Sequence, residues 1–248
     1  MKKVKRRTYS GAVLEQEVFW INDNVKNLDA AEPKPPILSP EEKAAYNAKQ
    51  SLKRFVRNVN MNFTPDDYYV TLTLDNNNLI DTFDEAKKIR ESYIRSLQRI
   101  YPKAKLVFVM GRGKRNKRIH FHTIIANVPR RAISRRWIWG NITNIEHLRE
   151  HNYYNLIDHG ADYTALAVYL FDHWTPDQGK GKRWRQTMNL QQPQKEKPTV
   201  PKRTYSAERP PVTPKGYKLV EARSTDYGYT YFKYVRIPPK PTLFKKCC

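Results

Sequence analysis

The sequence predicts an α+β fold, a central antiparallel sheet with helices packed on it. Three observations predict it. Residues 68–74 alternate with period two, residues 82–100 carry a helical period, and two further strand-like runs flank a basic turn. The order is therefore strand, helix, strand, turn, strand, which suits antiparallel pairing.

Each element has its own justification. Ser39-Pro40-Glu41-Glu42 opens a helix, with Ser39 as cap, Pro40 in the first turn and acids at the positive helix end. That helix runs to about Val59. Tyr68, Val70, Leu72 and Leu74 alternate with Tyr69, Thr71 and Thr73, and 75–78 end the strand in turn residues. Thr82 and Glu85 have capping-box spacing, and Ala86, Ile89, Tyr93, Leu97 and Ile100 form the apolar stripe of the helix that follows. Strands are predicted over 105–110 and 118–126, around the basic turn 111–116. A short helix is predicted over 130–139, a strand over 142–145 and a helix over 161–174. A hairpin is expected over 217–237. Residues 1–60 read as a basic N-terminal extension with a Pro-rich linker at 32–36, 61–193 as the main domain, and 194–248 as a Pro-rich linker and hairpin or tail.

Charge narrows the partners. Lys and Arg number 46 against 24 Asp and Glu, a net charge of +22. Such a field attracts polyanions. Aromatic residues lie among the basic runs, notably Trp137, Trp139 and Trp184, and aromatic faces stack unpaired bases. No apolar run is long enough for a membrane helix, and no signal peptide follows the basic N-terminus. Cys247 and Cys248 are adjacent, so they staple no loop and offer no zinc spacing, which fits a reducing cytoplasm. No P-loop is present, so no ATP-driven motor is expected in this chain.

Two features carry chemistry. In Ile119-His120-Phe121-His122 the histidines project from one face of a strand and the apolar residues from the other. Such a pair reads equally as surface histidines or as two ligands of one divalent ion. In the helix 161–174, Tyr163, Ala167, Leu170, Phe171 and Trp174 form a core stripe. Asp162, Tyr169 and His173 gather on the far side by the 100° rule. Tyr169 is thus set apart from the core tyrosine Tyr163, beside an acid and an imidazole. A metal ion on the histidines can neutralise charge at a phosphodiester while a tyrosine attacks phosphorus.

At this point the sequence resembles the HUH endonuclease superfamily. Residues 110–122 are similar to its central motif, 162–174 to its tyrosine helix and 70–74 to its first motif. The likeness spans about Asn62 to Pro193 and comes closest to rolling-circle replication initiators of Gram-positive plasmids, phages and integrated elements. It implies a ferredoxin-like or RRM-like sheet with the histidines on the middle strand, and Mg²⁺ or Mn²⁺ as cofactor. It implies cleavage of single-stranded or hairpin origin DNA by Tyr169 through a 5′-phosphotyrosine, followed by rejoining, with host helicase and polymerase as partners. Two departures stand out. Many members carry a lysine three residues after the tyrosine, where this chain has Asp172. The usual acidic metal ligand is missing from 105–110; by likeness to single-tyrosine transposases His173 takes its place, with Asp162 and Asp75 as alternatives. His173 also reads as a helix-end histidine favoured by the dipole. Arg112, Lys114, Arg115, Lys117 and Arg118 before the metal strand, and Lys182, Arg183 and Trp184 after the tyrosine helix, are expected DNA contacts. A relaxase or single-tyrosine transposase shares this chemistry; a non-catalytic nucleic-acid-binding regulator would explain only the charge.

Overall fold

A computed structural model describes residues 1–23, 39–113, 117–148, 161–173, 183–226 and 228–237. The described residues fall into two compact units, one drawn from 1–34, 154–162 and 195–248, the other from 35–153 and 163–194. Each is built on an antiparallel sheet, so the α+β expectation holds. The expected linker at 32–36 and the pair Cys247 and Cys248 lie outside the described residues.

The second unit contains the site. Its helix α1 (Pro40–Asn62) starts as the sequence predicts, with the Ser39 side chain accepting from the Glu42 N–H and the Glu42 carboxylate accepting from the Ser39 N–H. Strand β3 (Tyr68–Thr73) follows, then α2 (Phe83–Gln98), β4 (Lys105–Arg112), β5 (Ile119–Ala126), α3 (Arg130–Arg136) and β6 (Ile142–His147). This is the βαββαβ order of ferredoxin-like folds. Helix α4 (Thr164–Phe171) and the two-residue strand β7 (Arg185–Gln186) complete the unit. The sheet order is β6-β3-β5-β4-β7, which puts β5 in the middle.

The register of that sheet decides which residues meet. Thr71 faces His122 and Thr73 faces His120 across β3 and β5. Val109 and Gly111 of β4 face the same two histidines from the other side. Directly opposed residues share a sheet face, so the histidines, Thr71, Thr73, Tyr69 and Gly111 lie on one face. The opposite face carries Val70, Leu72, Leu106, Phe108, Phe121 and Ile125, all buried in one cluster with Ala86, Tyr93 and Leu97 of α2 and Ile133 of α3. That apolar face holds the sheet in place, and the other face is left for chemistry.

Trp137 belongs to this core. It is 5% exposed, packs edge-on against Tyr93 and Phe121, and donates from Nε1 to the Thr73 carbonyl. Trp139 packs on it in turn. The expectation that these two rings stack bases is therefore corrected: they fill space beneath the sheet.

The first unit replaces the expected N-terminal extension. Strands β1 (Lys2–Ser10) and β2 (Val13–Ile21) pair with each other, and β2 pairs with β10 (Thr230–Arg236) of the predicted C-terminal hairpin. β9 (Tyr217–Ser224) flanks β10, and β8 (Gln194–Lys195) flanks β1. The alternation of β1 is hidden in the sequence because its buried positions include Arg6, Thr8 and Ser10 beside Val4. Arg6 is buried against Glu17, which also accepts from the Tyr229 hydroxyl, while Glu15 accepts from Tyr231. Paired charges can be buried where isolated ones cannot. The stretch 191–215, which reads as a flexible linker, is tied down in part: Lys5 and Thr199 exchange two backbone hydrogen bonds, and the Glu196 N–H donates to the Arg7 carbonyl.

Candidate functional site

The site grows from the middle strand. His120 and His122 project from β5 as the i, i+2 spacing predicts, with ring centroids 4.9 Å apart. His173 joins them from the end of α4. Its ring centroid is 4.2 Å from that of His122 and 6.0 Å from that of His120. One ligand atom from each histidine lies within 4.8 Å of the others. Among the described residues this is the only cluster of three or more His, Cys, Asp or Glu side chains that can hold a metal ion.

Each ring is anchored through a second contact. His122 Nδ1 lies 2.7 Å from the Tyr69 hydroxyl and 3.2 Å from the Thr71 hydroxyl. His173 Nδ1 lies 2.8 Å from the Tyr169 carbonyl, so this nitrogen carries the proton. His120 is hydrogen-bonded to the backbone of Arg118. Such outer partners fix the tautomer and aim the remaining nitrogen of a metal-binding histidine. His122 Nε2 is buried and has no hydrogen-bond partner, although buried polar atoms are nearly always paired. A metal ion fits that orphaned lone pair. Gly111 leaves the room: a Cβ there would stand 2.9 Å from His120 Nε2 and 3.2 Å from His173 Cδ2.

The electrostatics suit ligation. Burial, then the neighbouring His173 and His120, push His122 down to about 3. Burial also lowers His120, against the opposing effect of its hydrogen bond to the Arg118 backbone, and His173 lowers it further. Both rings are therefore neutral near pH 7 and keep a lone pair for a cation. The sign of the linked stability follows. Below the ordinary value of 6.5 the unfolded chain binds a proton at His122 that the folded protein does not. Stability is present in full above pH 6.5 and is lost as the pH falls from there toward about 3. Melting temperatures of metal-free protein should thus drop from about pH 7 to about pH 5, and His122→Asn should flatten the drop. Equal slopes for both proteins would refute the assignment.

Tyr169 stands over the cluster. Its ring centroid is 4.5 Å from that of His173 and 6.0 Å from that of His122, and the residue is 51% exposed. Tyr163 is 0% exposed, in the core as its stripe position predicts. α4 is held from the other side by Phe171, whose ring meets Phe55 of α1.

Neither acidic alternative joins the histidines. The helix begins at Thr164 with Tyr163 as its cap, so Asp162 precedes it and the 100° rule does not reach it. Its buried carboxylate accepts from Lys233 at 2.6 Å. Asp75 caps the turn Asn76–Asn78, accepting from the backbone N–H groups of Asn77 and Asn78.

The expected DNA contacts divide. Lys117 and Arg118 are exposed at the start of β5, where Arg118 donates to Asn76. Arg118, Asp75, Asn76, Asn141 and His120 border an open cleft of about 540 Å³, a place for a phosphate beside the histidines. Arg112 instead clamps the turn, donating to the carbonyls of Lys117 and Asp81 with its guanidinium over Phe83. Arg183 lies over the Phe171 ring. Trp184 packs against Phe55 and Phe171, so its ring is engaged in packing rather than presented to a base. Lys114, Arg115 and Lys182 lie outside the described residues. Sequence reasoning missed Tyr69, Thr71 and Gly111. Their only signal is the strand alternation, which leaves the pairing partner unnamed.

Residues 67–171 match a family model described as Replication-associated protein ORF2, a stretch covering less than half of the chain. It includes β3, both β5 histidines and Tyr169, and ties this part of the chain to replication-associated proteins. No curated protein and no solved structure matches the chain. Among the described residues no helix is long and apolar enough to cross a membrane.

Proposed function

We propose that this chain initiates rolling-circle replication by nicking and rejoining single-stranded origin DNA, as an HUH-type endonuclease with Tyr169 as its nucleophile. The observation that carries the reading is the convergence of Tyr169 with three histidines on one sheet face. The family match over the same segment supports it.

Three imidazoles suit a transition-metal ion, so of the two expected ions Mn²⁺ fits this donor set better than Mg²⁺. When bound, the ion supplies charge neutralisation at a phosphate oxygen. His120, His122 and His173 would hold it. The chain's own residues do the rest. Arg118 and Lys117 meet the phosphates at the cleft. The Tyr169 oxygen attacks phosphorus and gives up its proton to solvent. The bond from phosphorus to the 3′ oxygen breaks, and that oxygen takes up a proton and leaves as a hydroxyl. The 5′ phosphate stays on Tyr169. Rejoining is the reverse: a 3′ hydroxyl attacks the phosphotyrosine and the tyrosine oxygen leaves. A host polymerase would extend the free 3′ end, and a host helicase would supply the unwinding, both in the cytoplasm.

The test is a cleavage assay. End-labelled single strands spanning the origin are incubated with the protein in Mn²⁺ or in EDTA and run on a denaturing gel. Cleavage in Mn²⁺ alone is the expected outcome. Tight binding without cleavage would reject the enzyme reading in favour of a binding module.

A further inference from the structure

Tyr69 is the one residue that touches both halves of the site. It sits on β3, 4% exposed, on the histidine face of the sheet. Its ring lies parallel to that of His122, with 5.9 Å between centroids and 7° between planes. Its hydroxyl is 2.7 Å from His122 Nδ1. On its other side the same hydroxyl hydrogen-bonds with the Tyr169 side chain. Thr71 also approaches His122 Nδ1, at 3.2 Å, and reaches the Tyr69 hydroxyl at 3.4 Å.

The donor directions can be assigned. If His122 offers Nε2 to an ion, its proton is on Nδ1 and is donated to the Tyr69 oxygen. The Tyr69 hydrogen is then free to point at Tyr169. Burial pushes the Tyr69 phenol well above its ordinary range, so it keeps that hydrogen throughout. The resulting chain runs from His122 Nδ1–H to the Tyr69 oxygen, and from the Tyr69 O–H to the Tyr169 oxygen. Tyr169 is exposed and would otherwise sample several rotamers.

We propose that Tyr69 is a positioning residue that links the metal site to the nucleophile, holding His122 in one tautomer and donating a hydrogen bond to the Tyr169 oxygen. The inference rests on the reading of Tyr169 as nucleophile. The donated bond is worth most when the Tyr169 oxygen carries negative charge, because hydrogen bonds to ionised groups are the strong ones. It therefore assists both the attacking phenolate and the phenolate that leaves on rejoining. Thr71 can keep His122 oriented in part, but the Tyr69 ring alone extends to Tyr169.

The experiment compares Tyr69→Phe with Thr71→Val in the full chain. Tyrosines are labelled at ¹³Cζ and histidine rings with ¹⁵N. In metal-free protein, Tyr69→Phe should move both the Tyr169 Cζ resonance and the His122 Nδ1 resonance. Thr71→Val should move only that of His122. In single-turnover cleavage at saturating Mn²⁺, Tyr69→Phe should slow formation of the covalent adduct about 10- to 100-fold, the usual scale for losing an outer-shell partner. The DNA concentration for half-maximal rate should stay unchanged. An unmoved Tyr169 resonance, or an adduct rate equal to wild type, would overturn the proposal. Failure of the parent reading looks different: wild type itself would form no adduct, while the resonances still report whether Tyr69 holds Tyr169.

Discussion

Replacing Tyr169 with Phe should lower strand cleavage at least about 10⁴-fold, the order of loss seen when a covalent nucleophile is deleted. DNA affinity should stay within about two-fold, since binding is carried by phosphate contacts that the substitution does not touch. Stability should hardly change, because a half-exposed ring is retained and surface changes of this kind fall within about 0.5 kcal/mol. The paired control is Tyr163→Phe. Tyr163 is fully buried and its hydroxyl has no hydrogen-bond partner among the described residues, so its removal should leave cleavage intact. Two tyrosines on neighbouring turns thus separate cleanly, one exposed over the histidines and one in the core. If Tyr169→Phe still forms an adduct, the nucleophile is misassigned.

Divalent binding is the second large effect. His122→Ala should weaken Mn²⁺ binding at least about 100-fold, because even outer-shell losses cost about 10- to 100-fold and this removes a ligand. The loss should appear in calorimetry without DNA. Gly111→Ala makes the same case through shape. Its methyl group would stand 2.9 Å from His120 Nε2, closer than side chains tolerate, on a strand whose backbone is fixed by β5 and β7. The rings must yield, so Mn²⁺ affinity should fall while Thr123→Ser, on the opposite face of β5, leaves it unchanged. Normal Mn²⁺ binding by His122→Ala would exclude this triad as the metal site.

Much of this is legible in the residues. Alternation along 68–74 and the His-x-His spacing on 119–126 read correctly because side-chain direction on a strand has a fixed period. The caps Ser39 and Thr82 name two helix starts, since their side chains accept the orphan N–H groups there. His173 comes from likeness to a family, and the geometry places it beside the other two rings. What fails depends on distant pairing. β1 buries Arg6, Thr8 and Ser10, so hydropathy gives no strand signal, and the partner of Arg6, Glu17, lies on the neighbouring strand. Trp137 and Trp184 look like base-stacking rings because basic residues flank them, yet both pack against other aromatics. Asp162 falls among the site residues only if helix geometry is extended ahead of Thr164, where the helix begins. Tyr69 is visible as an alternating residue, but nothing local says that its strand lies beside β5.

The central claim is that one named oxygen accepts the DNA phosphate. Mass spectrometry of the digested protein–DNA adduct tests it most directly. The account expects a nucleotide phosphate on Tyr169, in the peptide that also contains His173. A modification on Tyr69, on Tyr163 or on any other residue would contradict it.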